Sequence, residues 1–488
     1  MIAAMTRRDL FSTFPASIAA AQQASAQVNS TPPATGKLHA GAASSNITPP
    51  LGISLDGPIS QNGPALHVHD ELHARCLVLD DGATRIAIAI CDSTMLWQDL
   101  IDEAKAIASQ TTGLPAEHML IAATHTHSTP RLGVRNGEIE RWYREFLPRR
   151  IADGIIRAFN NLAPARIGWG SARVPEFVFN RRWFVKAESI PPNPFGETGD
   201  RIQMNPPAGS PNLIRPAGPV DPEMFVVSLR HADGRPLALL ANYGLHYVGG
   251  GRQGDISADY FGLFSEDVRD LLASEHPDMP FVAMMSNGTS GDVNSVDFLS
   301  KRARQPPYSR MREVAHSLAE QAVRIAKEAQ YQAGISLAAA HANLELEIRR
   351  PDEQRLTWAR DLWAQAQGAE RLTRPQVYAR ETLALADYPP VVKIPMQAFR
   401  IGALGLAAIP CEVFAETGLA IKQNSALKPA FTIELANGYF GYLPTAQQHK
   451  SGGYETWPAR SSCLETEAET KIRAQALHLL ETVARTRA

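Results

Sequence analysis

The segment Thr124-His125-Thr126-His127-Ser128 follows an apolar run at residues 118–123, which predicts a buried β-strand leading into a loop. Alternate residues of a strand point to the same side, so we expect His125 and His127 to present their imidazoles on one face. Two histidines at a strand end, flanked by hydroxyl residues and followed by Pro130, are typical of a metal site or an acid–base pair. Taken alone, the pattern also describes two solvated or hydrogen-bonded histidines, which is the commoner case.

The rest of the chain alternates between strand and helix patterns. Apolar runs at 74–79 and 85–90, joined by a turn, predict a hairpin covered on both faces, because the runs show little polar alternation. Two more hairpins are predicted at 225–229 with 237–245 and at 393–401 with 404–410. Other strands are predicted at 42–47, 165–174, 281–286, 337–348 and 431–436, and helices at 99–112, 138–162, 261–274, 309–332, 352–367, 374–386, 413–425 and 465–484. This alternation predicts an α/β fold, with mixed β-sheets flanked by helices, in a single large domain.

Two segments interrupt this regular pattern. Pro148 lies inside the predicted helix at 138–162, where a proline removes a backbone hydrogen bond and predicts a kink or a break. Residues 189–222 are rich in proline and glycine, and so long an irregular stretch in a compact chain is either disordered or a functional loop over a site. We interpret it as a functional loop, because strand and helix patterns return directly after it.

Composition and charge exclude some classes of function. The chain has 488 residues, of which 44% are hydrophobic and 20% charged, an ordinary globular composition with ample apolar material for a large core. A formal net charge of −2 offers no basic field for nucleic acid or for an anionic membrane surface. No apolar run after the N-terminus is long enough to span a bilayer. We therefore expect no nucleic-acid partner and no transmembrane segment.

The N-terminus has the pattern of an export signal. Twin arginines at Arg7 and Arg8 precede a mildly apolar stretch, and Ala24-Ser25-Ala26 is a small-residue cleavage site. Residues 1–26 therefore resemble a twin-arginine signal peptide, which would make the protein periplasmic or secreted. Residues 27–37 are predicted to be a flexible leader. The alternative is a disordered cytoplasmic tail.

The cysteine pattern indicates free thiols. The chain contains Cys76, Cys91, Cys411 and Cys463, whose spacing matches neither a disulfide framework nor a thiolate metal site. Cys76 and Cys91 lie on the two strands of the first predicted hairpin, where we expect buried free thiols. A bridge between these two cysteines after export is the alternative.

Five motifs occur in order along the chain. They are Thr124-His125-Thr126-His127-Ser128, His246 with Ile256-Ser257-Ala258-Asp259-Tyr260, residues 287–294, Pro410-Cys411-Glu412, and the tyrosine pair Tyr442 and Tyr454. In sequence and in order they resemble the motifs of the neutral/alkaline non-lysosomal ceramidases, over about residues 38–475. Each motif is weak by itself, but five in the right order make a chance resemblance a poor explanation.

The resemblance implies a zinc ion (Zn2+) bound by His125, His246, Glu412 and the phenol of Tyr442. Two imidazoles and a carboxylate are a common catalytic zinc set, which leaves a position for water or substrate. Each of these residues also has an ordinary structural interpretation. His246 would be a hydrogen-bonded core histidine, Glu412 the cap of the following helix, and Tyr442 a half-buried tyrosine.

The resemblance also implies that His127, Arg181 and Tyr454 face the substrate. His127 would act as an acid–base group or polarise the carbonyl, while Arg181 and Tyr454 would donate hydrogen bonds to a developing oxyanion. The alternatives are that Arg182 replaces Arg181 in this role, that both arginines pair with surface carboxylates, and that Tyr454 is an ordinary half-buried tyrosine.

Two of the departures from the family in these motifs bear on the site. Asn294 stands where the ceramidases have a serine, and an amide side chain cannot serve as a nucleophile. Zinc-activated water then becomes the expected attacker, because a metal lowers the pKa of water toward ~7. Asn294 would orient water or substrate, and Ser290 or Ser295 as a replacement nucleophile is the alternative. Thr129 stands where the family has glycine, which we expect to narrow the pocket.

From the resemblance we expect the ceramidase-like catalytic domain alone, at residues 38–488, without the C-terminal β-sandwich of the ceramidases. The expected activity is zinc-dependent hydrolysis of an amide (N-acyl) bond in a small-molecule substrate, with an ester as the lesser possibility. One alternative is a relative that binds a metal or a ligand but has lost catalysis. Another is a zinc esterase, lactonase or phosphoesterase that uses the same site.

Overall fold

The computed structural model describes residues 37–57, 63–133, 137–272, 280–301, 303, 305–367, 369 and 371–486. The predicted signal peptide at 1–26 and all but the last residue of the predicted leader lie outside these ranges. The described residues form both helices and strands along the chain, as the sequence predicts.

The helices, in chain order, are α1 (Gln98–Thr112), α2 (Glu138–Asn160), α3 (Asp259–Leu272), α4 (Ser309–Glu328), α5 (Glu353–Gln365), α6 (Arg374–Ala386), α7 (Ala415–Asn424), α8 (Ala446–Ser451) and α9 (Ala468–Arg485). The strands are β1 (His39–Asn46), β2 (His67–Val68), β3 (His73–Asp80), β4 (Arg85–Cys91), β5 (Met119–Ala123), β6 (Ala163–Arg173), β7 (Phe179–Asn180), β8 (Arg182–Val185), β9 (Ile202–Met204), β10 (Leu213–Pro216), β11 (Glu223–His231), β12 (Pro236–Tyr243), β13 (Asp255–Ile256), β14 (Val282–Asn287), β15 (Val293–Asn294), β16 (Leu337–Glu347), β17 (Val391–Ile401), β18 (Leu404–Ile409), β19 (Glu412–Val413), β20 (Ala430–Glu434) and β21 (Tyr442–Leu443).

The largest sheet has eight strands in the order β14-β12-β11-β6-β1-β3-β4-β5. It is mixed, because β12 pairs with β14 and β4 with β5 in parallel while the other neighbours are antiparallel. Strands β3 and β4 form the first predicted hairpin, and all their residues except the first of each are buried. This burial on both faces explains why the two strands lack polar alternation.

A second sheet, with strand order β16-β17-β18-β20, packs face to face against the first. Its residues Phe399 and Phe431 share one apolar core with Leu77, Ile88 and Leu240 of the eight-stranded sheet. Helices α1 to α4 cover the outer face of the eight-stranded sheet, and α9 covers the outer face of the four-stranded one. Two sheets therefore lie between two layers of helices, which confirms the predicted α/β class with mixed sheets.

Helix α2 and the segment at 189–222 are two of the regions that differ from the sequence prediction. Helix α2 continues without a break past Pro148, so the proline does not end it. The segment at 189–222 is not wholly irregular, because it contains β9 and β10, which pair with β8 in a three-stranded sheet. The backbone N–H of Asn205 in this segment donates to the carbonyl of Arg181 at 2.8 Å. The segment therefore packs against the chain that carries this arginine.

All four cysteines are buried and free, as expected for Cys76 and Cys91. Within the described ranges, no helix combines the length and the apolar character that crossing a membrane requires.

Candidate metal centre

His125 lies just beyond the end of β5, at the centre of a histidine cluster. Its φ of 74° is left-handed, a conformation that is uncommon for residues other than glycine. The strand geometry used to place His125 and His127 on one face therefore does not apply, because the strand ends at Ala123. The two imidazoles nevertheless meet, with their Nε2 atoms 3.2 Å apart.

His246 joins this pair from the loop that follows β12. Its Nε2 lies 3.1 Å from Nε2 of His125. One ring nitrogen from each of His125, His127 and His246 lies within 4.8 Å of the other two, a spacing that could hold a metal ion. Strand ends of the eight-stranded sheet thus bring together two histidine segments that are far apart in the chain.

Hydrogen bonds define which nitrogen carries the proton in two of these histidines. Nδ1 of His125 lies 2.6 Å from the carbonyl oxygen of Thr94, and Nδ1 of His246 lies 3.1 Å from that of Ser290. A carbonyl oxygen only accepts, so each Nδ1 donates, and in the neutral form of each ring Nε2 presents a lone pair to the cluster. Two lone pairs that face each other at 3.1 Å repel unless a proton or another cation lies between them.

Protonation of His246 and of His127 is disfavoured in this cluster. Burial, together with the charges of Arg181 and the neighbouring histidines, lowers the pKa of His246 well below its ordinary value. Burial, with the charges of His125 and Arg181, also lowers the pKa of His127 well below its ordinary value. Both rings are therefore neutral at neutral pH, and a metal cation is the partner that this arrangement accommodates.

Glu412, on β19, adds a carboxylate to the cluster. Its Oε2 lies 3.3 Å from Nε2 of His125 and 3.8 Å from Nε2 of His246. Its Oε1 accepts a hydrogen bond from the Tyr439 hydroxyl at 2.9 Å, whereas Oε2 is buried and has no hydrogen-bond partner among the described residues. Burial acts to raise the pKa of Glu412, but His125 and Arg181 together hold it below its ordinary value. The carboxylate is therefore ionised at neutral pH and leaves one oxygen for a cation.

The spacing of these atoms fits a tetrahedral metal ion. Zinc–ligand bonds of about 2.0–2.1 Å place tetrahedral ligand atoms roughly 3.3 Å apart. The observed separations are 3.1 Å between the nitrogens of His125 and His246 and 3.3 Å between His125 and Glu412. The separation of 3.8 Å between His246 and Glu412 is somewhat wider. Imidazole nitrogens with an ionised carboxylate are also a donor set that zinc prefers.

Tyr442 stands beside Glu412, because β19 and β21 pair in parallel with these two residues as Cα partners. Burial, and then the neighbouring Glu412 carboxylate, raise the pKa of Tyr442 well above its ordinary value. The ring of Tyr454 lies edge-on to that of Tyr442, with centroids 5.8 Å apart. The structure therefore brings both members of the predicted tyrosine pair to the same end of the cluster.

Arg181 also lies at this end. Its guanidinium carbon is 5.3 Å from the centre of the Tyr442 ring, and its Nε donates to Glu455 at 3.0 Å. Arg182 shares the Glu455 carboxylate but points its other nitrogens toward Gln448. Glu455 is fully buried, so the carboxylate that these arginines share is not a surface one. Position 181, not 182, is the one that borders Tyr442.

His127 differs from the other two histidines. Its Nδ1 is buried and makes no hydrogen bond within the described part of the chain, so the ring lacks the acceptor that usually orients a metal-bound imidazole. The ring instead stacks on Tyr247, with centroids 3.7 Å apart and planes inclined by 16°. This stack holds the imidazole in place, although its Nδ1 has no hydrogen-bond partner among the described residues.

Asn294 has its described contacts away from the histidines. Its Nδ2 donates to the side chain of Asn205 at 2.7 Å, and its Oδ1 accepts from the backbone of Val296 at 2.9 Å. Both hydrogen bonds are exposed to solvent. The role predicted for Asn294, orienting water or substrate, stays a prediction.

Ser290 lies behind His246. Its hydroxyl donates to buried Glu434 at 2.6 Å and lies 3.4 Å from Nδ1 of His246, the nitrogen that faces away from the cluster. The Ser290 hydroxyl is hydrogen-bonded on the Nδ1 side of the His246 ring, so it is poorly placed to attack a substrate on the Nε2 side. The geometry therefore disfavours Ser290 as a replacement nucleophile.

Sequence reasoning missed two aromatic residues of the site. Tyr247 stacks on His127, and Tyr439 donates to Glu412. Tyr247 directly follows the predicted ligand His246, and Tyr439 lies three residues before Tyr442. The only sequence signal that could have assigned these two tyrosines to the site is their position close to a predicted ligand.

No family model and no curated protein matches the chain. Solved structures do match it. A ceramidase complexed with C2 superposes with a TM-score of 0.67 and 19% sequence identity, over 92% of this chain and 75% of that one. A neutral ceramidase from Pseudomonas aeruginosa gives a TM-score of 0.65 and 18% identity, over 92% of this chain and 74% of that one. The protein therefore has the fold of the neutral ceramidases, as its five motifs predict.

Proposed function

We propose that the protein is a zinc-dependent hydrolase of amide (N-acyl) bonds, with Zn2+ held by His125, His246, Glu412 and Tyr442. One observation carries the proposal. Two imidazoles that donate through Nδ1 direct their Nε2 lone pairs, with one ionised carboxylate oxygen, at a common point in a buried site. Proteins of the same fold that are named ceramidases support the choice of an amide as substrate.

The four proposed ligands differ in how firmly the chain holds them. Backbone carbonyls fix His125 and His246, and the Tyr439 hydroxyl fixes Glu412. Tyr442 keeps its proton until a cation lies beside it, because burial and Glu412 raise the pKa of its phenol. We therefore assign Tyr442 as the weakest of the four ligands. When bound, zinc would supply a Lewis acid that polarises a carbonyl and lowers the pKa of water toward ~7.

The residues around the proposed ligands would transfer protons and stabilise the oxyanion. Nδ1 of His127 is buried and has no hydrogen-bond partner among the described residues, so this imidazole would take a proton from the attacking water and pass it to the leaving amine. Burial raises the pKa of Tyr454, so its phenol stays a hydrogen-bond donor at neutral pH. Tyr454 and Arg181 each lie against Tyr442 and would donate to the oxyanion that forms as water adds to the carbonyl.

Export is a further part of the proposal. The twin arginines Arg7 and Arg8 and the site after Ala26 support cleavage and transfer to the periplasm or the medium. Cell fractionation tests this: the Arg7→Lys, Arg8→Lys double variant should remain uncleaved in the cytoplasm. Equal export of the variant and the wild type would contradict it.

Turnover of a substrate panel tests the activity. The zinc-loaded protein should hydrolyse N-acyl amides faster than matched esters, lactones and phosphoesters, and a chelator should abolish turnover until zinc is restored. Faster turnover of a lactone or a phosphoester would reassign the reaction. A zinc-loaded protein that cleaves no member of the panel would overturn the hydrolase proposal and leave a metal-binding protein.

A further inference from the structure

Each proposed histidine ligand is held by a carbonyl whose own residue is anchored by a buried side chain. On one side, His246 donates through Nδ1 to the carbonyl of Ser290. The Ser290 hydroxyl donates to Oε1 of Glu434 at 2.6 Å, and the Ser290 backbone N–H donates to Oε2 of the same carboxylate at 3.2 Å. Glu434 is fully buried, so its carboxyl group holds Ser290 at two points without competition from water.

Glu434 also reaches the residue next to the proposed carboxylate ligand. Its Oε2 accepts the backbone N–H of Val413, which follows Glu412, at 2.7 Å. Strand β20 therefore provides one carboxylate that fixes both the carbonyl behind His246 and the backbone at Glu412. Loss of this acceptor would leave three buried donors unsatisfied and both ligand segments free to shift.

His125 is held by a similar chain of hydrogen bonds, in which threonine hydroxyls take the place of the Glu434 side chain. His125 donates through Nδ1 to the carbonyl of Thr94. The Thr94 hydroxyl donates to the carbonyl of Thr126 at 2.8 Å, and its backbone N–H donates to the hydroxyl of Thr129 at 3.0 Å. The two threonine hydroxyls are 2.9 Å apart, so Thr129 donates to the oxygen of Thr94. Thr129 is fully buried, and its hydroxyl lies against Thr94.

We infer that Glu434 and Thr129 are positioning residues of the metal centre, which act on His246 and His125 through Ser290 and Thr94. The inference rests on the proposed function, since it assumes that the two imidazoles bind a metal. It assigns to Thr129 a role in shaping the ligand set, in place of the narrowing of the pocket expected from the sequence. Partners of this kind typically contribute about 10- to 100-fold to metal affinity.

Zinc affinity, measured by competition with a chelator of known affinity, tests the inference. Thr129→Val keeps the shape of the side chain and removes the hydroxyl, so it should weaken zinc binding by about 10- to 100-fold. Thr129→Ser restores the hydroxyl and should recover most of the loss. Thr432→Val is the matched control, because Thr432 is buried and its hydroxyl has no partner among the residues that the structure describes.

Glu434→Gln is the corresponding variant for His246 and should show a similar loss of zinc affinity. Its control is Asp81→Asn, since Asp81 is another buried carboxylate that accepts three backbone N–H groups, at the hairpin turn between β3 and β4. Should Glu434→Gln fail to fold, Ser290→Ala takes its place, with Ser45→Ala, a buried serine whose hydroxyl lacks a described partner, as control.

The outcomes separate the inference from the proposed function. Weaker binding in Thr129→Val and in the Glu434 or Ser290 variant, with controls unchanged and rescue by Thr129→Ser, supports the positioning role. Wild-type affinity in these variants, or equal losses in the controls, overturns it while the proposed metal site stands. A wild-type protein that binds no zinc overturns the proposed function itself, and the inference with it.

Discussion

Glu412 and Tyr442 are Cα partners in the parallel pair formed by β19 and β21, so two proposed ligands from different motifs stand side by side at the histidine cluster. The pairing holds their backbones at a fixed separation, and the neighbouring carboxylate in turn raises the pKa of the phenol. We therefore expect the two proposed ligands to bind a metal with different strength.

Substitutions of Glu412 and Tyr442 should show which of the two contributes more to zinc affinity. Tyr442→Phe keeps three ligands and the ring packing, so it should retain zinc with an affinity lower than that of the wild type. Glu412→Gln removes the one carboxylate of the set and should reduce affinity by more than Tyr442→Phe does. Chelator competition on both variants measures the ranking, and a larger loss in Tyr442→Phe would contradict it.

His127 should matter for turnover and not for metal content. His127→Ala is expected to reduce kcat by about 10²- to 10⁴-fold, the usual contribution of a general acid–base group, with zinc stoichiometry unchanged. Tyr247→Phe keeps the stacked ring and serves as the matched control, which should retain zinc content and most of the activity. Loss of zinc together with activity in His127→Ala would place this histidine among the ligands instead.

The buried Glu455 should be a large contributor to stability. Its carboxylate lies between Arg181 and Arg182, and all three side chains are buried. Glu455→Gln leaves two guanidinium groups without their shared counter-charge, which should lower the free energy of unfolding by about 3–5 kcal/mol. Urea denaturation measures the change.

The exposed pair Arg485–Glu481 is the comparison for this variant. Glu481→Gln should change the free energy of unfolding by less than about 1 kcal/mol, since exposed pairs contribute little. A loss for Glu455→Gln that is no greater than the loss for Glu481→Gln would count against the stabilising role.

Lys105 should make stability depend on pH in the alkaline range. Burial lowers the pKa of Lys105 from 10.5 to about 8 in the folded protein, where its ammonium donates to the side chain of Asn437. Between these two values the unfolded chain binds more protons than the folded one, so stability rises with pH. The stabilising contribution of Lys105 is therefore complete above the pKa of this lysine in the unfolded chain. It is lost as the pH falls through the folded-state pKa of about 8.

The predicted change can be measured against Lys105→Met, which does not titrate. Between pH 7.5 and 10, the free energy of unfolding of the wild type should rise relative to this variant by up to about 3 kcal/mol. Lys393→Met, at an exposed lysine, is the control for replacing a lysine by methionine. A constant difference between the wild type and Lys105→Met across this range would refute the prediction.

Most of the fold was predictable because its strands are apolar runs bounded by turns. The hairpin predicted at 74–79 and 85–90 is His73–Asp80 and Arg85–Cys91 in the structure. The strands Ile202–Met204 and Leu213–Pro216 were not predicted, because proline and glycine crowd their segment and neither has a strand pattern of its own. Their pairing with Arg182–Val185 depends on tertiary contacts that a local pattern does not contain.

The candidate site was predictable where residue type carries chemistry. His125, His246 and Glu412 belong to types that bind metals, and their motifs mark them in the sequence. Glu434 and Thr129 carry no such signal, because one ends an apolar strand and the other follows a histidine motif. Their contacts with Ser290 and Thr94 arise from the packing of distant segments, which spacing along the chain does not reveal. The left-handed backbone of His125 was equally invisible in the sequence.

Metal content by elemental analysis, on the purified protein and on its His125→Ala variant, tests the central claim most directly. His118→Ala is the control, because His118 is a largely buried histidine outside the cluster that bonds to the carbonyl of Arg85. We predict about one zinc per chain in the wild type and in His118→Ala, and none in His125→Ala. A wild-type protein without metal, or zinc that persists in His125→Ala, would contradict the proposed centre.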